Sequence, residues 1–278
     1  MRLYLTIALA LLAAVPLQAG EKKLDRTFTV SPGGSLLVEA DGATVQVTGN
    51  DGNQVVVHMA IRGPDKDFAK TTLDAVQTGN DVAVTMRKDK ESWFSWGNWN
   101  SEQNIEVSVP RRYAVKVRTS GGSVELRNTE GTASLRTSGG DITAQHVTGA
   151  IELKTSGGSI QADTIRGDVD ANTSGGDVRL LRVDGKIRGH TSGGSVHCSL
   201  VGANRGISAT TSGGDIELRL PRNTAANLEA NTSGGDVESD IPVAMQRSED
   251  SRMVGPMNGG GALIHAHTSG GSIAVRAN

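Results

Sequence analysis

The chain of 278 residues has one cysteine, few aromatic residues and no marked excess of charge of either sign. A single cysteine excludes an intramolecular disulfide framework and any zinc site built from several cysteines. Because aromatic residues make up only 3% of the sequence, the core has to be formed by Val, Ile, Leu and Ala. The formal net charge of −2 excludes the strongly basic surface of a nucleic-acid-binding protein, so no nucleic-acid partner is expected.

Long apolar runs are also missing, except in the first segment. Arg2 precedes an apolar stretch from Leu3 to Val15, and the small residue Ala19 closes the segment. This pattern predicts a secretory signal peptide over residues 1–19. The stretch is too short to cross a bilayer comfortably as a retained anchor. We therefore expect an exported protein without a transmembrane segment, in the periplasm or at the cell surface.

What the sequence does contain is a repeated glycine-rich motif. Thr-Ser-Gly-Gly, followed by Ser or Asp and then by Val or Ile, recurs at intervals of 18 to 21 residues, with a last interval of 36. The eight copies begin at Thr119, Thr137, Thr155, Thr173, Thr191, Thr211, Thr232 and Thr268. A period of this length is typical of a solenoid, in which each repeat packs on its neighbours.

Within each repeat, apolar residues alternate in two short runs. With the Thr as position 1, positions 6, 8, 15 and 17 are apolar, as in Ile160, Ala162, Val169 and Ala171. Period-two alternation bounded by glycine predicts two strands per repeat, with alternate side chains facing inward. Residues 119–278 are thus predicted to form an all-β fold, a β-solenoid of the parallel β-helix type with about eight coils spaced about 4.8 Å apart.

The motif itself suggests how the corners are built. The Gly-Gly pair is expected to permit positive φ, and the Thr and Ser hydroxyls are expected to stack in ladders along the solenoid. Position 5 mostly alternates between Ser and Asp, which keeps carboxylates from stacking directly on one another. The alternating residues are Ser123, Asp141, Ser159, Asp177, Ser195 and Asp215.

Two parts of the chain depart from the repeat. Residues 20–118 predict a less regular β region, in which residues 64–77 favour a short helix because Pro64 and acidic residues open the segment. Residues 242–261 lack the corner motif and predict an inserted loop. Such a loop either carries function or is a tolerated insertion.

The tryptophans are concentrated in one polar segment, residues 91–101. Trp93, Trp96 and Trp99 lie there together with Phe94. These rings either pack as a lid on the solenoid or form a binding face, since Trp stacks on sugar rings and inserts at membrane interfaces. We take the four residues as the candidate ligand-binding residues, with a glycan or another cell-surface component as the partner.

Catalytic and metal sites have weaker support. Glu152 and Asp170 occupy position 16 in adjacent coils, at about the carboxylate separation of a retaining glycosidase. Arg136 and Lys154 stand nearby, which makes an exposed charge ladder the simpler account, so no catalytic residue is assigned. His265 and His267 face outward on one strand, with Glu229 predicted beside His265 in the previous coil, but a zinc site would need a third firm ligand. Neither a metal nor a cofactor is expected.

Three stretches carry a family resemblance. They are Ser31-Pro32-Gly33-Gly34-Ser35-Leu36, the Val-Pro-Arg-Arg-Tyr-Ala-Val-Lys-Val segment at 109–117, and the serial Thr-Ser-Gly-Gly-Asp-Ile corners. Together they resemble the bacterial putative-adhesin family of unknown function, whose members are exported β-solenoid proteins. The resemblance covers residues 27–278 and implies the fold and an adhesin-like role. It brings no catalytic residues.

We therefore expect an exported, non-catalytic binding or scaffold protein of the cell envelope. Two alternatives stay open. One is a carbohydrate-active β-helix enzyme that uses Glu152 and Asp170, and the other is a structural envelope or stress protein without a specific ligand.

Overall fold

A computed structural model describes residues 20–63, 71–88, 101–244 and 247–278, and these residues form strands and turns without a helix. The strands lie in two sheets. Sheet 1 contains, in spatial order, β1 (Gly20–Thr29), β4 (Gln54–Gly63), β7 (Glu102–Pro110), β3 (Thr44–Asn50), β9 (Val124–Glu130), β11 (Ile142–Thr148), β13 (Ile160–Arg166), β15 (Val178–Asp184), β17 (Val196–Leu200), β19 (Ile216–Leu220), β25 (Ile273–Ala277) and β21 (Val237–Ser239). Sheet 2 contains, from the opposite end, β22 (Arg247–Glu249), β23 (Arg252–Met257), β20 (Ala226–Thr232), β24 (Leu263–Thr268), β18 (Ile207–Thr210), β16 (Ile187–His190), β14 (Val169–Asn172), β12 (Ile151–Lys154), β10 (Ala133–Arg136), β8 (Ala114–Thr119), β2 (Ser35–Ala40), β6 (Asp81–Lys88) and β5 (Thr71–Thr78). The all-β prediction is confirmed.

Successive repeats stack residue on residue in a solenoid-like arrangement. In sheet 1, Ile160 pairs in parallel with Ile142 on one side and with Val178 on the other. In sheet 2, Ile151 pairs with Val169. Each of these side chains is at most 3% exposed, whereas their sequence neighbours on the strands point outward. The two predicted strands per repeat and their inward positions are therefore correct.

In four consecutive coils, the residue at position 10 has a left-handed backbone conformation, which bends the strand in sheet 1. The residues are Asn128, His146, Thr164 and Arg182, with φ between 52° and 57°. Side chains other than Gly, Asn and Asp seldom adopt this conformation. The bend turns position 11 back toward the core, where Val147, Ile165 and Val183 are at most 1% exposed.

The Gly-Gly corner is required by close packing and not by positive φ. All the corner glycines of the eight motifs lie in the described residues, and none of them has positive φ. A β carbon at the second glycine would instead lie less than 3.0 Å from a backbone carbonyl of the adjacent coil, as at Gly158 against Gly140. The expectation of positive φ is therefore wrong. Glycine is required because of the close contact between adjacent coils, and not because of the backbone conformation within one corner.

The Thr of each motif ties its own coil to the next one. Thr155 is buried, and its hydroxyl donates to the carbonyl of Gly140 in the adjacent coil at 2.9 Å. In the same corner the N–H of Gly158 donates to the Thr155 hydroxyl at 3.4 Å. The Thr hydroxyls therefore bond to backbone, and the expected ladder of hydroxyl on hydroxyl is not what holds the corners.

Position 5 forms a ladder of its own. The N–H of Ser159 donates to Asp141 Oδ1 at 2.7 Å, and the N–H of Asp177 donates to Ser159 Oγ at 3.2 Å. Each Ser or Asp side chain thus accepts the backbone N–H of position 5 in the following coil. The alternation spaces the carboxylates two coils apart, as the sequence suggested.

The coils at both ends are stacked out of sequence order. The last repeat, β24 and β25, lies between the coil of β18 and β19 and the coil of β20 and β21. At the other end, β2 and β3 lie between β6–β7 and the first regular coil, β8–β9. Because the last repeat is inserted between two earlier coils, Ser272 lies between Asp215 and Asp236. If the coils had stacked in sequence order, these two aspartates would lie directly on one another.

Two local predictions need correction. Residues 71–77, predicted as part of a helix over 64–77, belong to strand β5, which pairs antiparallel with β6. Residues 64–70 lie outside the described residues. The segment 242–261 interrupts the repeats, as expected, but it contains β22 and β23 and is not an irregular loop. Strand β23 pairs antiparallel with β20 and extends sheet 2 at its end.

The inward and outward register can be tested at two neighbouring residues. Ile160 is 1% exposed, whereas Gln161 is exposed. Ile160→Asp should lower the free energy of unfolding by several kcal/mol, because a buried carboxylate lacks a partner. Gln161→Asp should change it by less than about 0.5 kcal/mol. Urea unfolding of both variants measures the difference, and equal losses would show that the register is wrong.

The inserted position of the last coil predicts a charge effect at Ser272. Ser272→Asp would place three carboxylates in adjacent coils and should cost on the order of 1 kcal/mol at pH 7, because like charges about 5 Å apart repel even when exposed. The loss should shrink at 1 M salt, because salt screens the repulsion between exposed charges. Ser272→Asn is the uncharged control. If Ser272→Asp is as stable as Ser272→Asn at pH 7, position 5 is not a stacked column at this end.

Candidate binding groove on sheet 2

A groove runs along the outer face of sheet 2. It has a volume of about 720 Å³ and crosses six adjacent strands, from β2 through β8, β10, β12 and β14 to β16. Its outward lining comes from positions 14, 16 and 18 of successive coils. These residues are Ser35, Leu37, Ala114, Lys116, Arg118, Thr132, Ser134, Arg136, Ala150, Glu152, Asp168, Asp170, Lys186 and Arg188. Because the strands pair in register, each position becomes a column parallel to the solenoid axis.

Short side chains create the depression. Position 14 is occupied by Ser35, Ala114, Thr132 and Ala150 in four spatially consecutive coils, and Ser134 stands at position 16 beside them. Longer side chains at position 18, such as Arg118 and Arg136, rise along one side. The floor is therefore made of methyl and hydroxyl groups, while charged groups surround it.

Cations without ion pairs lie at both ends of this groove. Lys116 is at the β8 end, and Lys186 and Arg188 are at the β16 end. Within the described part of the chain, these three side chains form no salt bridge, whereas Arg118 Nη1 lies 3.9 Å from Glu39 Oε1. Lys116 and Arg188 are exposed and Lys186 is half-buried, so their charges are available to a ligand.

Glu152, in the middle of the groove, is held by its neighbours. Arg136 Nη2 donates to Glu152 Oε2 at 2.8 Å, and Lys154 Nζ donates to Oε1 at 2.5 Å. The Arg136 guanidinium, followed by the Lys154 ammonium and the Ser134 hydroxyl, lowers the pKa of Glu152 from 4.5 to about 2. Asp170 pairs with Glu152 across adjacent strands, as the spacing predicted. A general acid needs a raised pKa, so Glu152 is unsuited to that role.

The opposite face, on sheet 1, differs in its electrostatics. Several of its outward arginines are paired with nearby acids: Arg179 lies 3.0 Å from Asp177, and Arg219 lies 2.7 Å from Glu217. Arg276 contacts two acids, Glu238 and Asp240. Arg127 with Glu125 and Arg182 with Asp163 form further ion pairs there. Sheet 1 therefore pairs more of its cations than the groove on sheet 2 does, although the exposed Arg166 on β13 forms no salt bridge in the described residues.

The other residues singled out by the sequence lie elsewhere. Trp93, Phe94, Trp96 and Trp99 fall outside the described residues. The strands that flank their segment lie in different sheets: β6 pairs with β2, where Met86 lies opposite Ala40, and β7 pairs with β3, where Asn104 lies opposite Thr44.

The histidine pair and the cysteine have definite surroundings. His265 Nδ1 lies 3.9 Å from Glu229 Oε2 on the neighbouring strand, as predicted. Among the described residues, no three or more His, Cys, Asp or Glu side chains form a group that could hold a metal ion. Cys198 faces the core, and burial raises the pKa of its thiol to about 12. It therefore packs as a small apolar residue.

The groove itself was not among the predicted sites. Its signal in the sequence was the run of small residues at position 14, Ala114, Thr132 and Ala150, followed by Asp168 and Lys186. Strand β2 completes the groove only because it lies beside β8 in space. Its contribution depends on the pairing order and not on the period of the repeat.

These features define an all-β, solenoid-like repeat protein with a charged groove on one face. The chain belongs to the family Toastrack DUF4097, which matches residues 34–276. This agrees with the resemblance noted in the sequence to an adhesin-like family of unknown function. No curated protein matches the chain. In the described residues no helix is long and apolar enough to cross a bilayer.

Two solved structures are similar to this chain. A "putative adhesin" from Bacteroides fragilis is 14% identical with a TM-score of 0.52, and the match covers 94% of this chain and all of that one. A "putative lipid binding protein" from Parabacteroides distasonis is 15% identical with a TM-score of 0.48, covering 91% and 96% of the two chains. At 14% identity, the likeness to the Bacteroides fragilis protein shows the fold alone.

The ion pairs of Glu152 predict a pH-dependent stability. The pKa of Glu152 in the folded state lies below its ordinary value of 4.5. Ionised Glu152 therefore stabilises the fold above pH 4.5, and this stabilisation is lost as the pH falls toward 2. Glu152→Gln should lower the free energy of unfolding by at most about 1 kcal/mol at pH 7, since the pair is partly exposed, and by less at pH 2.5. Asp170→Asn, in the adjacent coil, is the control. A difference between Glu152→Gln and wild type that is constant from pH 7 to pH 2.5 would contradict the assignment.

Proposed function

We propose that the protein is an exported, non-catalytic binding protein of the cell envelope, adhesin-like in role, with the groove on sheet 2 as its ligand surface. The observation that carries the proposal is the set of unpaired cations, Lys116, Lys186 and Arg188, around a floor of short side chains. A rigid stack of parallel strands holds these groups at fixed distances. Fixed groups bind with a smaller loss of conformational entropy than groups on a flexible loop.

Export is supported by the sequence at the start of the chain. Cleavage of the proposed signal peptide after Ala19 would keep all the described residues of β1, which pair with β4 from Gly20 opposite Gly63 to Thr29 opposite Gln54. The mature protein would then begin with a strand that sheet 1 retains. The adhesin name of the Bacteroides fragilis protein agrees with a role at the cell surface.

A non-catalytic role is favoured over the carbohydrate-active alternative by the state of Glu152. Both of its carboxylate oxygens accept hydrogen bonds from cations, and its pKa is lowered to about 2. A glycosidase of the two-carboxylate type needs one carboxyl group that is protonated near neutral pH. In the described part of sheet 2, the next coil brings two carboxylates to the groove beside Glu152, Asp170 directly opposite it and Asp168 two residues earlier.

A purely structural role is disfavoured by the free charges. A protein that only needs solubility gains as much from paired surface charge, as on sheet 1, as from isolated cations gathered along one groove. Loops and surfaces that gather uncompensated charge are typical of ligand sites. The segment with Trp93, Trp96 and Trp99 is proposed as an additional contact, because flat rings stack on sugars.

A binding screen of the mature chain tests this function. Residues 20–278 should bind one or more glycans on an array more strongly than lipid vesicles. If Trp93, Trp96 and Trp99 contribute, replacing all three by Ala should weaken that binding while leaving the midpoint of thermal unfolding nearly unchanged. A drop of several kcal/mol in stability would instead identify the rings as a packed lid. Absence of binding to every glycan and vesicle would contradict the proposed function.

A further inference from the structure

We infer that the groove on sheet 2 binds an extended acidic polysaccharide in which charged sugars are separated by neutral ones, lying along the solenoid axis. This inference rests on the proposed function, because it names the ligand class of the same groove.

The shape of the groove selects an elongated ligand. Six strands line it, so it is about 24 Å long at the usual spacing of about 4.8 Å between paired strands. It is open to solvent along its length, which allows a long chain to continue beyond both ends. A compact small molecule would contact only one or two coils and would leave most of these groups unused.

The spacing of the charges selects an anionic ligand with gaps between its charges. Lys116 and Arg188 occupy the same position, 16, four coils apart, which places them about 19 Å from each other along the axis. Between them the groove presents three acids, Glu152, Asp168 and Asp170, of which Asp170 lies opposite Arg188 on the neighbouring strand. Glu152 is already bonded to Arg136 and Lys154, so those two cations are less available to a ligand.

Uniformly charged polymers fit this pattern poorly. A nucleic acid carries a phosphate on every nucleotide, and its central phosphates would face Glu152 and Asp170. One sugar of an extended chain is about as long as the spacing of about 4.8 Å between strands, so a charge repeat of four sugars matches the four coils between Lys116 and Arg188. In a polysaccharide with one charged sugar in four, the carboxylates can lie at Lys116 and at Lys186 and Arg188, while neutral sugars face the acids. Carboxylate oxygens at position 16 are suitable acceptors for sugar hydroxyls.

The floor suits the faces of sugar rings. Ala114 and Ala150 offer methyl groups to the C–H faces, and the Thr132 hydroxyl lies exposed between them. A bulky side chain at Ala150, which is itself exposed, would fill the middle of the groove without altering its charge. The floor therefore provides a test that is independent of the cations.

The experiment measures binding of residues 20–278 to deacylated gellan, which carries one uronate in every four sugars, with dextran as the neutral polymer and phosphatidylglycerol vesicles as the anionic membrane. Lys116→Gln combined with Arg188→Gln should weaken gellan binding about tenfold, because two charge contacts are lost. Arg179→Gln combined with Arg219→Gln removes the same net charge from sheet 1 and should change binding less than about twofold. Ala150→Gln should also weaken it about tenfold by blocking the floor. Thermal unfolding confirms that each variant is folded.

The possible outcomes separate the ligand class from the wider function. Equal weakening by the sheet 1 and sheet 2 pairs would overturn the inference, because it would show attraction by net charge alone. Binding of dextran as tight as that of gellan, or binding of vesicles without gellan, would overturn the inference and leave an envelope-binding function standing. Failure to bind any glycan or vesicle would remove the proposed function as well.

Discussion

Neighbouring coils approach so closely at the Thr-Ser-Gly-Gly corner that no β carbon fits between them. At the second glycine, as in Gly140, Gly158 and Gly176, a side chain would collide with a carbonyl of the adjacent coil. Because the coils lie so close together, the buried Thr hydroxyl can donate to a backbone carbonyl of the adjacent coil. For the same reason, the side chain at position 5 can accept a backbone N–H of the adjacent coil. Backbone polar groups at the corner are thus satisfied between coils, which a buried turn requires. This contact sets the register of the strands on either side of the corner. The register in turn stacks the inward aliphatic side chains of successive coils on one another.

The same corner explains the order of the coils at the C-terminal end. The repeats are similar enough in their apolar positions that the last one could have stacked in sequence order beyond β21. Position 5 distinguishes the two orders, because stacking Asp236 directly on Asp215 would bring two carboxylates within one coil spacing. With Ser272 between them, the ladder alternates Ser and Asp without interruption from Ser123 onward. Exposed carboxylates repel by only about 1 kcal/mol, so this term biases the order and is assisted by the hydrogen bonds to Ser272.

The sequence was sufficient for whatever depends on local alternation and period. The two strands per repeat, the inward residues such as Ile160, and the neighbours Glu152 and Asp170 all follow from adding one period. The pairing of strands that are far apart in the chain could not be predicted from the sequence. Residues 71–77 have local features of a helix, but antiparallel pairing with β6 makes them a strand, because tertiary context overrides weak propensity. The groove was missed for a related reason: its floor needs β2 beside β8, and these strands are separated in sequence by β3 to β7.

Function on such a scaffold has to come from the outward columns. The inward positions are committed to the core, and the corner positions are committed to contacts between coils, so neither can change without disturbing the stack. A substitution at an outward position, by contrast, changes the surface of its own coil and little else. On sheet 1 several of these positions hold paired charges, Arg219 with Glu217 among them. On sheet 2, short residues occupy position 14 in four consecutive coils, with Lys116 beside them and with Lys186 and Arg188 at the far end of the groove. Since the packing of the core does not need that arrangement, the proposed recognition of an anionic ligand is its simplest physical explanation.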